Sequence, residues 1–187
     1  MISTLITTLT ASNSASLADT TSMTSAYDAY MFVMTDIGPA TDSANFQFQV
    51  NEVDGSGYDE IHTAQTFMAE HDYDDGTAQG PVYRTGQDSA LDTTYQTIME
   101  SVGNASDESG AGILHVFGPS NATFVTHFHS TMQYTTEHPS SRHYFAGGYF
   151  HKTTGGVGAD GPIAIDEISF KMSSGNFDGV IQIYGIS

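Results

Sequence analysis

The chain has 187 residues, of which 22 are acidic, four are basic and none is cysteine, giving a formal net charge of −18. A chain of this length buries roughly 70% of its unfolded surface as one domain without a disulfide or structural metal, and the lack of cysteine excludes thiol catalysis. Arg84, Arg142, Lys152 and Lys171 stand singly, which argues against nucleic acid and anionic membrane surfaces, both of which demand clustered cations.

So acidic a surface suits a protein kept soluble in strong salt, where carboxylate repulsion is screened within about 10 Å. The opening stretch, residues 1–21, lacks a basic region followed by an apolar run and is not read as a secretory signal. The densest apolar run, residues 30–34, is far short of the roughly 18 residues needed to span a membrane, so no membrane insertion is expected.

The dominant hydrophobic period is two, that of half-buried strands. Strands are expected over Ile2 to Leu9 and Tyr27 to Ile37, joined by a polar Ser/Thr/Ala linker. Phe46, Phe48 and Val50 then alternate with Gln47, Gln49 and Asn51, one face apolar and the other amide-rich. Asp54-Gly55-Ser56-Gly57 follows as a hairpin turn, because Asp-Gly readily takes positive φ, and a returning strand is expected around Ile61 to Glu70. Residues 72–94 are acidic and rich in Gly and Gln, and read as one long exposed excursion. Tyr95, Ile98, Met99 and Val102 are near helical spacing, which points to one short helix.

Alternation resumes at Ile113–Phe117, stopped by Gly118-Pro119. Over 123–134, Phe124, Phe128 and Met132 share one parity while His127 and His129 take the other, a core face and a wet face. Gly147-Gly148 suggests a bulge or a close backbone approach, and residues 153–162 read as a Gly-rich loop. Ile168, Phe170 and Met172 share a face, residues 173–179 make a turn, and 180–186 close as a β-prone strand, a C-terminal hairpin. Together these give an all-β, β-sandwich or jelly-roll-like domain over 1–187, with about eight to ten short strands and at most one short helix.

Candidate chemistry is sparse. His127 and His129, at i and i+2 on a strand, project together at a usable metal-ligand spacing, but no third ligand can be placed, and two exposed histidines on a wet face is the favoured reading. Asp72 and Asp74, before Asp75-Gly76, resemble a calcium loop without its closing glutamate, and a solvated acidic loop accounts for them. No Gly-x-Ser-x-Gly elbow occurs, no carboxylate pair is marked, and the GGVG stretch at 155–158 has no following lysine of the Walker type. Sequons at Asn104 and Asn121 carry no weight without a signal peptide. No catalytic residue, cofactor or metal site is therefore assigned.

Three stretches carry a resemblance: residues 10–16 with 27–50, residues 101–132, and residues 164–187 with their Met-Ser-Ser-Gly-Asn turn leading to Tyr-Gly-Ile. On these the chain resembles small virion structural proteins, of decoration or tail-fibre-like type, from tailed phages that infect marine bacteria, cyanobacteria in particular. The resemblance implies a β-sandwich on the particle surface, made in the host cytoplasm, with no enzymatic role and no cofactor. Two functions follow as expectations. One is a head- or tail-bound decoration module contacting other virion proteins. The other is a fibre or receptor-binding module touching host-surface carbohydrate through aromatic and amide groups such as Tyr73, Tyr83, Tyr95, Gln47 and Gln49. A carbohydrate-binding module of an enzyme is weaker, since this chain holds no catalytic partner. Exposed sheet edges need cover, and the resemblance implies a homotrimer.

Overall fold

The computed structural model describes all residues except Met1, Thr77, Pro139 and 154–159, so most of the Gly-rich loop expected at 153–162 lies outside the described residues. Fifteen strand segments form: β1 (Ser3–Ser14), β2 (Leu17–Asp19), β3 (Ala29–Pro39), β4 (Ala44–Glu52), β5 (His62–Asp72), β6 (Ala78–Tyr83), β7 (Ser89–Asp92), β8 (Gln96–Val102), β9 (Gly110–Phe117), β10 (Thr126–Thr135), β11 (Ser140–Phe150), β12 (Lys152–Thr153), β13 (Asp160–Gly161), β14 (Ile165–Met172) and β15 (Phe177–Ile186). A nine-stranded antiparallel sheet has the order β1-β15-β3-β9-β10-β11-β5-β6, with β7 also on β5, and it packs over a four-stranded sheet, β2-β14-β4-β8. The small pair β12-β13 stands apart. The fold is thus the expected all-β sandwich.

The core lies between the sheets and is largely phenylalanine. Phe48 on β4 meets Phe128 on β10 at 5.1 Å between ring centroids, and Phe170 on β14 meets Phe32 on β3 at 5.7 Å. Phe46 meets Phe177 edge-on at 5.4 Å. Offset and edge-on geometries of this kind add about 0.5–1.5 kcal/mol per pair beyond the area they bury.

The strands stand where alternation places them, but several connections differ from expectation. β14 and β15 are not a hairpin: β14 pairs with β4 and β15 with β3 and β1, so residues 173–176 arch from one sheet to the other. The Asp54–Gly57 turn does the same, because β4 lies in the small sheet and β5 in the large one. Both segments have one apolar face, and burying these faces against each other across the core satisfies the same pattern that a hairpin would.

The expected helix at 95–102 is instead β8. Gln96 to Glu100 are buried in succession, because β8 is covered on both faces, and a strand buried on both sides shows no alternation. The 72–94 excursion is exposed as expected along β6, yet it is not a plain loop: β6 and β7 both pair with β5. At Gly147-Gly148 the register of β11 runs without a bulge, and the close approach is at Gly148, where a Cβ would lie 2.3 Å from the Thr63 carbonyl oxygen. A bulge falls instead in β3, where the three steps from Thr35 to Gly38 face only two on β15 and Asp36 takes φ +55°, with Gly179 at φ +146° opposite.

A polar cluster joins the layers beside β5, β8 and β11. Arg84 donates two hydrogen bonds to the Glu100 carboxylate, at 2.9 and 2.7 Å. Arg142 donates to Glu70 at 3.1 and 2.7 Å and to the Glu100 carbonyl at 2.9 Å. The Tyr134 hydroxyl accepts from the Glu100 amide at 2.8 Å. Two of the four basic residues are thereby committed to structure.

Candidate docking face

The nine-stranded sheet presents one broad outer face, and its composition follows from the register. One row reads, strand by strand, Gln65, Gly147, His129, His115, Met31, Tyr184 and Leu5. The next reads Tyr83, Phe67, Phe145, Thr131, Ile113, Val33, Gln182 and Thr8. On the other side run Thr63, Tyr149, His127, Phe117 and Ala29. None of these positions is Asp, Glu, Lys or Arg, in a chain with 22 acidic residues. The solvent side of an antiparallel sheet ordinarily carries charged residues, and these three rows carry none.

The face is paved with rings. Phe67 stacks on Phe145 at 4.8 Å, and His143 stacks on Phe145 at 4.4 Å. His115 and His129 lie directly across from one another at 4.9 Å, with Phe117 5.4 Å from His129. Because Ala29 is small, a recess of about 510 Å³ opens beside it, walled by His115, Phe117, His129 and Ile186 and bounded by Asp28. Burial, and then electrostatic repulsion from the neighbouring His129, lowers the His115 imidazole below its ordinary range.

The histidines singled out by spacing are here, and both project from the sheet. Their pairing across strands differs from their pairing in sequence: His129 meets His115 on β9, whereas His127 turns to Tyr149, 6.1 Å away. His115 gave no local signal, because its parity within 113–117 reads as part of an apolar run. Among the described residues no three His, Cys, Asp or Glu side chains converge on a metal position.

Asp72 ends β5 and Asp74 lies in the turn that follows. Asp72 accepts a hydrogen bond from the Ser140 hydroxyl, Asp74 accepts from the Gly76 amide at 3.1 Å, and His71 lies 3.2 Å from Asp75. These bonds close the turn on itself and against β11.

The five glycan-contact residues do not form one surface. Gln49 is fully buried and its amide donates to the carbonyls of Glu60, Thr93 and Thr94 at 3.0, 3.2 and 3.0 Å. Gln47 donates to Thr97 at 3.2 Å. Tyr95 donates to Ser169 at 3.1 Å, and the Lys171 ammonium sits 4.1 Å over its ring. Only Tyr73 and Tyr83 stand out in solvent, and Tyr83 is tied to Asp88 at 2.9 Å.

No protein-family model, curated protein or solved structure matches this chain.

Proposed function

We propose that this chain is a non-enzymatic structural module of a phage particle, held to other virion proteins through the outer face of its nine-stranded sheet. The observation that carries this reading is the absence of Asp, Glu, Lys and Arg from the three rows crossing that face, in a chain of net charge −18. Such a face loses little on desolvation, while the acidic remainder stays hydrated and turned outward. A contact of about 600–1,000 Å² on this side suffices for a specific interface.

Two charges placed in its centre, Ile113→Glu with His129→Glu, test the reading. Gradient-purified particles should contain the native chain by peptide mass spectrometry and lack the doubly substituted one. Recovery of the native chain only in the soluble fraction of infected cells overturns the proposal, as does equal incorporation of both forms.

The recess beside Ala29 favours a second reading, contact with host-surface carbohydrate. Phe117 offers a ring for stacking and Asp28 an acceptor for hydroxyls at its rim. Glycan-array binding abolished by Phe117→Ala would support it, and an array with no binding removes it.

A further inference from the structure

We propose that two copies of this chain join edge to edge through β1, extending the nine-stranded sheet across a two-fold axis centred on Leu9. This does not rest on the docking face or on the virion reading. It rests on how the sheet edges are treated.

A free strand edge offers unpaired amides and carbonyls to any other strand, and soluble proteins blunt such edges. The edge of the large sheet opposite β1 is blunted: β6 is six residues long and carries Gly80 and Pro81. In the small sheet β2 has only three residues. β8 is buried along most of its length, and its Glu100 amide is taken by the Tyr134 hydroxyl. β1 differs from all three. It has 12 residues, is mostly exposed, and holds no proline, glycine or charge. The uncharged run extends from Ile2 to Ala18, ending at Asp19.

The free positions can be assigned. Ile2 and Ser187 exchange two backbone hydrogen bonds, each 3.3 Å, which sets the phase of the β1–β15 ladder. With the bulge between Leu5 and Thr7, the inward-bonded residues are then Thr7, Leu9 and Ala11, opposite Ile183, Ile181 and Gly179. The amides and carbonyls of Thr8 and Thr10 point away from the molecule. Beyond them the edge closes, because Asp178 accepts from the Asn13 amide at 2.7 Å and Asn176 donates to the Asn13 carbonyl at 2.9 Å.

The occupant that fits is a second copy. Antiparallel pairing about Leu9 sets Thr8 against the second copy's Thr10 and Thr10 against its Thr8, all on the outer face. Leu9 then faces Leu9, and Thr7 faces Ala11, on the core side. Every side chain meets one on its own face, Leu9 meets its like, and the Thr8–Thr10 pairs are favourable across strands. Charge selects the same occupant: two bodies of net charge −18 can approach only through a neutral segment, whereas a basic partner would be drawn to the acidic surfaces instead.

Sedimentation equilibrium of the full chain tests this. The expected mass is twice the 20.0 kDa of one chain. Thr8→Pro removes an outward amide, and Thr10→Glu adds like charges across the axis. Each should weaken dimerisation at least tenfold while circular dichroism stays native. Leu9→Cys, in a chain with no other cysteine, should form an intermolecular disulfide on mild oxidation, because facing residues in such a pair lie about 4.5 Å apart at Cα. A monomer at about 100 µM overturns the proposal. So does an oligomer, a trimer included, whose mass Thr10→Glu leaves unchanged, or a dimer in which Leu9→Cys fails to cross-link. If Thr8→Pro does not fold, Thr10→Glu and Leu9→Cys decide alone.

Discussion

Gln49 on the four-stranded sheet and His129 on the nine-stranded sheet both point away from the core, yet they meet opposite surroundings. Gln49 is fully buried because residues 58–61 and 93–95 cross over it and direct their carbonyls at its amide. His129 projects into solvent among rings and hydroxyls, with no strand or loop of the described chain laid over it. The narrow sheet is finished by its own chain. The outer face of the wide sheet is not covered by the described chain. Outward alternation alone therefore does not identify a functional surface, since one outward face is spent on folding and the other is not.

Substitutions can break this contrast. The largest effect is expected where neither face is involved: Arg142→Met leaves Glu70 and part of Glu100 buried without their partner, and should lower unfolding free energy by about 3–5 kcal/mol in urea titration. Gln49→Leu orphans carbonyls beneath the narrow sheet's cover and should cost about 1–3 kcal/mol. His129→Gln at the matching position of the wide sheet should stay within about 0.5 kcal/mol. Equal losses at the two positions would mean that the wide face is also part of the folding core.

pH sharpens the contrast further. His62 is fully buried on the core side of β5, and burial lowers its pKa below the ordinary 6.5. Below about pH 6.5 the unfolded chain takes up a proton there that the folded chain does not, so stability is full above that pH and falls as pH drops toward the folded pKa. The melting temperature should decline as pH falls below about 6.5, and His62→Gln should flatten that decline. His115, lowered in the same direction but partly exposed, should flatten it less when replaced by Gln.

Strand positions were legible because one buried face forces a period of two. Phe46, Phe48 and Val50 on β4, and Phe128 and Met132 on β10, fall as their parity demands. Sheet membership was not legible. An arch and a hairpin can have the same turn residues and the same apolar parity, and only the competition among all strands decides which partner each takes. β8 is illegible for a different reason: cover on both sides erases alternation, and Ile98, Met99 and Val102 then mimic a helical stripe. The docking face was half legible. His127 and His129 could be found by spacing, but their rings are joined to His115 and Tyr149 by register, a relation between strands that no single segment carries.

The internal use of the cations has a consequence in solution. Arg84 and Arg142 are held in the inter-sheet cluster and Lys171 lies over Tyr95, so little positive charge remains to offset the carboxylates outside. Toward its solvent the chain is a polyanion wrapped in a counter-ion atmosphere, and the reach of that atmosphere sets how closely such surfaces can be crowded. It shrinks from about 30 Å at 0.01 M salt to about 3 Å at 1 M. Copies that repel one another in dilute water can stand shoulder to shoulder in brine.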